Sequence, residues 1–145
     1  MINEKNIGEF LYSTDKTKLN IEYIHYFLSK ESYWAKNIPI ELVKTSIEGS
    51  LCFGVYYQGK QIGFARVITD YATFGYLADV FIDKNYRGKG LSKELMKFIM
   101  EQEVIKKLRR FMLATLDAHR LYAQFGFESQ EGNKRFMSIK FFEEY

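Results

Sequence analysis

The hydrophobic period switches back and forth along this chain, and that switching constrains its fold more than any other feature. Through residues 19–29, Leu19, Tyr23, Tyr26 and Phe27 recur at helical spacing. Pro39 suits the first turn of a second helix, with Ile40, Val43 and Ile47 on one face. The period then drops to two. Residues 51–57 and 61–68 read as strands joined by Gln58-Gly59-Lys60, a hairpin signal, and residues 76–83 as a further strand. Helical spacing returns at residues 90–103, with Leu91, Leu95, Phe98 and Ile99 inward and Lys93, Glu94 and Lys97 outward.

The rest of the chain continues the alternation. Residues 10–13 are expected as a short first strand and residues 111–115 as a later one. Asp117 is placed to cap a helix running to Phe125, and Gly126 to stop it. Residues 127–129 and 136–140 are expected to close the sheet. Antiparallel hairpins followed by a strand–helix–strand unit predict a mixed α/β (α+β) fold, a mostly antiparallel sheet covered by helices. No linker, repeat or low-complexity stretch interrupts the sequence, so residues 1–145 are expected to form a single domain.

Composition narrows the classes of function. Hydrophobic residues make up 47% and charged residues 27% of the chain, which suffices for a core without metal or disulfide. Thirteen Phe and eleven Tyr exceed what a minimal core needs, so some are free to line a pocket. A net charge of +3, with eighteen acidic residues, argues against nucleic acid as a partner. The one cysteine, Cys52, lies in an apolar run, reads as a buried inert thiol, and fits a reducing compartment. The N-terminus lacks an apolar signal core and no run approaches membrane-spanning length, so a soluble cytoplasmic protein is expected, with no membrane partner. His25 and His119 are isolated and expected at the surface. With one cysteine they offer no metal-ligand spacing, and no metal is expected.

The turn Asn85-Tyr86-Arg87-Gly88-Lys89-Gly90 lies between a strand and a helix. Such a turn presents backbone N–H groups at a helix N-terminus, where the dipole favours an anion. Gly88 and Gly90 remove Cβ atoms that would block approach, and Arg87 and Lys89 add cationic donors. The spacing matches neither the nucleotide P-loop nor the dinucleotide fingerprint. Taken alone, these residues fit equally well a glycine turn that merely starts a helix.

The flanking residues add specificity. Tyr76-Leu77-Ala78-Asp79-Val80-Phe81-Ile82 followed by Tyr86-Arg87-Gly88-Lys89-Gly90-Leu91 resembles motif A of the GNAT superfamily of acetyltransferases, a strand followed by Gln/Arg-x-x-Gly-x-Gly/Ala and a helix. Ala118-His119-Arg120-Leu121-Tyr122-Ala123-Gln124-Phe125-Gly126-Phe127 resembles the family's Ala-x-x-Leu-Tyr-x-x-x-Gly-Phe segment. The resemblance covers about residues 50–130 strongly, and the expected element order agrees with a GNAT-like fold. It departs at Asn85, where Gln or Arg is usual, at Ser92, where a third glycine is common, and at Thr115, where many members carry Asn.

The resemblance implies acetyl-CoA as acyl donor. Its pyrophosphate would lie on the N–H groups of Arg87, Gly88, Lys89, Gly90 and Leu91, with the Ser92 hydroxyl as a further donor. Its pantetheine arm would run beside Val80, Phe81 and Ile82, near Thr115. Tyr122 would be the general acid that protonates the departing thiolate; without the resemblance it reads as part of an apolar helix face. Asp79 lies within an apolar strand, with Leu77 and Phe81 expected on its own face. It reads either as an acceptor-binding or proton-relaying carboxylate, or as the partner of Arg66 in a structural ion pair. Tyr33, Trp34 and Tyr71 are candidates to line the acceptor pocket. The implied function is N-acetylation of a primary amine by direct attack, the amine being a small molecule or a protein side chain. A CoA-binding sensor that has lost turnover is the alternative. The reading leaves room for a homodimer.

Overall fold

A computed structural model describes residues 1–145. Six strands form one sheet in chain order: β1 (Glu4–Ile7), β2 (Phe10–Ser13), β3 (Ser50–Tyr57), β4 (Lys60–Thr69), β5 (Phe74–Ile82) and β6 (Arg110–Leu113). The first five are antiparallel in succession, and β6 runs parallel to β5. Between β2 and β3 lie α1 (Ile21–Tyr26), extended by a wider turn at Phe27–Glu31, and α2 (Ile40–Glu48). Between β5 and β6 lie α3 (Leu91–Met100) and the single turn α4 (Glu103–Lys106). The last helix is α5 (His119–Ala123).

The sheet is covered on both faces, as the apolar alternation demands. On one face Phe53, Val55, Ala65, Val67 and Leu77 pack against Leu91, Leu95, Phe98 and Ile99 of α3. On the other, Cys52, Phe64 and Phe81 pack against Ile24, Phe27, Val43 and Ile47 of the first two helices. The rings of Phe27 and Phe81 stack at 3.8 Å between centroids and 8° between planes. Cys52 is buried, which pushes its thiol up to about 11, well out of nucleophilic range at neutral pH. The β3–β4 turn places both Gln58 and Gly59 at positive φ (50° and 80°), the backbone a tight hairpin requires.

Several expectations are corrected. Strand β1 carries no sequence signal, since Glu4-Lys5-Asn6 has no apolar alternation; its hairpin with β2 turns at Gly8, φ 59°. The helix expected over residues 90–103 ends at Met100, and Gln102 starts a new turn. Asp117 does not cap α5: Ala118 holds that position, and the Thr115 hydroxyl instead accepts the Ala118 N–H at 3.0 Å. His25 is half-buried, with its Nε2 2.9 Å from the Ile38 carbonyl oxygen. The strands expected at residues 127–129 and 136–140 do not form, and β6 is the free edge of the sheet.

The face assignment along β5 also fails, for a reason that matters to the site. Arg66 pairs with Ala78 and Phe64 with Phe81, so two residues, Asp79 and Val80, oppose only Ala65. This is a β-bulge, and Asp79 enters it in the left-handed region at φ 55°. The inserted residue reverses the alternation. Leu77 faces the α3 side and Phe81 the α1–α2 side, rather than sharing a face.

Candidate active site

Three features meet at the C-terminal end of β5. The first is the turn into α3. Asp83 ends the strand and accepts the Asn85 N–H at 2.9 Å, folding Lys84–Tyr86 into a single 3₁₀ turn. Gly88 and Gly90 then adopt φ 80° and 76°, and Gly90 is the N-cap of α3 with no side-chain cap. The N–H groups of residues 87–93 bond to no backbone or side-chain acceptor in the chain. A row of free donors at a helix N-terminus is an anion cradle. They face a cavity of about 240 Å³ lined by Ile82, Tyr86, Arg87, Gly88, Gly90 and Leu91, together with Ser92, Lys93 and Leu121. A Cβ built on Gly88 or Gly90 meets nothing within 4 Å, so it would project into open space rather than into protein. Arg87 Nε donates to the Ile82 carbonyl at 3.1 Å, which ties the turn to the end of β5.

The second feature is a split in the sheet. The parallel pairing of β5 and β6 ends at Leu77 and Leu113, while β5 continues five residues further, to Ile82. The bulge lies just beyond that last pair, so Asp79 and Val80 have no partner residue on β4 or on β6. The backbone there is open on the side facing β6.

The third is the group of side chains around the split. Asp79 accepts from Arg66 Nε at 2.6 Å and from Trp34 Nε1 at 2.8 Å, using a different oxygen for each. Arg66 and Asp79 are largely buried, with side chains 15% and 9% exposed. Arg66 also donates to the Ser50 hydroxyl at 3.1 Å. The ion pair with Arg66 is therefore present, and both carboxylate oxygens are engaged. Trp34 meets Tyr33 edge to face at 5.0 Å and Phe27 at 6.2 Å. Both Tyr33 and Trp34 are exposed on one side. Tyr71 sits in the β4–β5 turn at φ 62°, in a loop pinned by Asp70, whose carboxylate accepts from the N–H groups of Ala72, Thr73 and Phe74.

Tyr122 projects from α5 and is buried, its ring edge-on to Phe127 at 6.0 Å. Burial raises its phenol above the usual range, and Tyr33 and Asp117 add to the effect. Thr115 and Tyr122 line a second cavity, a groove of about 840 Å³ alongside β6, and not the one at the glycine turn; the Thr115 oxygen accepts from Ala118, which leaves its proton free to donate elsewhere. His119 is exposed.

One supporting residue escaped the sequence reading. The Tyr23 hydroxyl donates to Asp83 Oδ2 at 3.1 Å, and burial followed by Asp83 pushes its phenol well above the usual range. Tyr23 braces the turn from α1. Its signal in sequence was limited to helical spacing, which says where a residue packs and not what its hydroxyl reaches.

A helix N-terminus with free donors follows β5, beside a split between parallel strands, an arrangement suited to an extended anion. The sequence model described as Acetyltransferase (GNAT) family matches residues 12–127, and the chain belongs to that family. The chain is 31% identical over 137 residues to a protein of Gibberella zeae named as an acetyltransferase, covering 81% of this chain and 77% of the relative. It is 30% identical to the spermine/spermidine N(1)-acetyltransferase of Bacillus subtilis (strain 168), covering 79% of this chain and 84% of that one. A crystal structure from Xanthomonas campestris pv. campestris, described as an acetyltransferase of the GNAT family, superposes with TM-score 0.89 at 47% identity. That match covers 93% of this chain and 95% of the other.

Proposed function

We propose that this GNAT acetyltransferase moves the acetyl group of acetyl-CoA onto a primary amine by direct attack. The observation that supports the donor most strongly is the run of unbonded N–H groups at residues 87–93 beside two left-handed glycines. The residues present fit the donor: the turn of Arg87, Gly88, Lys89, Gly90, Leu91 and Ser92 suits a pyrophosphate, and the open backbone of Val80, Phe81 and Ile82 suits an amide-bearing arm laid alongside it as an added strand. Thr115, two residues beyond the end of β6, offers its hydroxyl to the same arm. When bound, acetyl-CoA supplies an activated thioester carbonyl.

The chain's own residues do the rest. Val80 offers its backbone N–H at the bulge for the oxygen that becomes negative as the amine nitrogen bonds to the carbonyl carbon. The tetrahedral centre collapses by breaking the carbon–sulfur bond; Tyr122 gives its phenolic proton to the departing sulfur, and the surplus proton on the attacking nitrogen leaves to water, from which the Tyr122 phenolate is reprotonated. Burial keeps that phenol protonated at neutral pH, the state an acid needs. The amine must arrive neutral, having lost its proton to water or buffer. With both oxygens of Asp79 engaged, the role we assign to that residue is to hold Trp34 and the bulge in place where the acceptor sits, with Tyr33 and Tyr71 forming the pocket wall. Alignment of the two substrates supplies much of the rate. The relatives that acetylate spermine and spermidine support an amine as acceptor.

Calorimetric titration tests the donor assignment. Acetyl-CoA should bind the parent, and Gly88→Ala should weaken binding at least tenfold in a folded protein, because a Cβ at φ 80° strains the turn that presents the free N–H groups. No binding to the parent at millimolar acetyl-CoA, or equal affinity in the two proteins, would overturn the assignment.

A further inference from the structure

Asn37, Gln58, Tyr71 and Asp79 take positive φ although none is glycine. The first three lie in loops or hairpin turns, where left-handed backbone is ordinary. Asp79, at φ 55°, lies inside a strand. Glycine fills such a bulge without strain, and aspartate fills it at a cost. The chain also places a largely buried ion pair there, which a left-handed residue does not itself require. Backbone strain held in place by its surroundings points to function.

A chain of hydrogen bonds does the holding. The Ser50 hydroxyl donates to the Ser46 carbonyl of α2 at 2.7 Å and accepts from Arg66 Nη1 at 3.1 Å. Arg66 Nε donates to Asp79 Oδ2 at 2.6 Å, and Trp34 Nε1 donates to Oδ1 at 2.8 Å. The carboxylate is thus gripped from β4 on one side and from the loop before α2 on the other, with β3 and α2 behind Arg66. Val80 follows Asp79 directly, so the conformation of Asp79 sets the plane of the peptide between them, and with it the direction of the Val80 N–H. Neither β4 nor β6 supplies a partner residue at these two positions. The side-chain network is what remains to fix that direction.

We propose that Arg66 is a positioning residue for acetyl transfer: through Asp79 it locks the bulge, so that the Val80 N–H stays aimed where the thioester oxygen becomes negative. This role rests on the acetyl-transfer reading above. A donor fixed beforehand needs no reorganisation as the charge develops, whereas a swinging donor must be re-aimed at each turnover. A salt bridge that only held the fold would behave differently. Replacing a buried ion pair by apolar groups is often neutral for stability, so removing both charges together separates stability from turnover.

The double variant Arg66→Met, Asp79→Gly leaves no orphaned charge and puts glycine at the left-handed position. It should fold with a melting temperature within about 5 °C of the parent's and bind acetyl-CoA as the parent does. Its kcat, at saturating acetyl-CoA and amine, should fall at least tenfold, because the oxygen is negative only on the way to product. Nitrogen-15 relaxation reads the lock without turnover. The Val80 N–H order parameter should be about 0.85 in the parent and below about 0.6 in the double variant. Arg66→Lys keeps the charge beside Asp79 but not the rigid fork that also reaches Ser50, and carries the test if the double variant does not fold. Its kcat should fall a few-fold, with a Val80 order parameter below the parent's. A parent that releases no thiol with any amine would overturn the acetyl-transfer reading and this role with it. An active parent whose folded variants keep its kcat, or keep its Val80 order parameter, would overturn the role alone.

Discussion

Replacing Tyr122 with Phe removes one hydroxyl and keeps the ring against Phe127, so the variant should fold with a melting temperature close to the parent's. Loss of a positioned general acid costs about 10²–10⁴ in rate, and the loss should appear in kcat rather than KM. A parent-like kcat, where chemistry limits the rate, would remove Tyr122 from the mechanism. Its raised phenol also fixes the sign of a pH effect. An acid must be protonated to act, and a raised value keeps it so through the mildly alkaline range where the amine becomes neutral. Activity should therefore climb from pH 7 to 9 as the acceptor deprotonates. A fall in kcat centred below pH 9 that disappears in Tyr122→Phe would contradict this. Asp79 was legible in the sequence as an odd carboxylate among apolar neighbours, but two readings of it were left open. Spacing cannot tell a carboxylate with two engaged oxygens from one aimed at a ligand. Asp79→Asn would leave the Arg66 guanidinium largely buried without its counter-charge, at a cost of about 3–5 kcal/mol. Denaturant unfolding should show that loss. Acetyl-CoA affinity of the folded protein should stay near normal while KM for the acceptor rises. Unchanged stability would mean the Arg66–Asp79 pair contributes little.

At the scale of elements, the strand–turn–helix from β5 into α3 was the most legible part of the chain. An apolar strand, two spaced glycines and an amphipathic helix each carry their own signal, and all agree. The same is true of the β3–β4 hairpin, whose turn sequence demands positive φ at Gln58 and Gly59. The bulge in β5 was not legible. Period-two alternation assumes one residue per pleat, and a single left-handed Asp79 shifts every later side chain to the opposite face. Strand β1 was missed because its residues are polar and exposed, held by pairing with β2 rather than by burial. Bracing of the anion turn from α1 gives a test at this scale. Tyr23→Phe removes the bond to Asp83 while keeping the ring against Phe81 at 5.8 Å. Acetyl-CoA affinity should fall a few-fold with little change in melting temperature, read by titration and by thermal unfolding. An unchanged affinity would show that the Asp83 turn holds its shape without α1.

For the molecule as a whole, the sequence supported one mixed sheet between two layers of helices, and the fold has that form. The closing strands did not form: residues 127–129 and 136–140 have strand composition and lie near β6, but make no backbone hydrogen bond to its free edge. Local pattern reports a segment's preference and not its partner. The central claim is that this family member is a working acetyltransferase for an amine. It is tested most directly by following free thiol released from acetyl-CoA across a panel of primary amines, with mass spectrometry of the products. The account predicts amine-dependent thiol release, an acetylated amine 42 Da heavier (approximately, the mass added when acetyl replaces hydrogen) and at least a 10²-fold slower reaction in Tyr122→Phe. Tight acetyl-CoA binding with no amine-dependent thiol release from any member of the panel would contradict it and leave a CoA-binding sensor in its place.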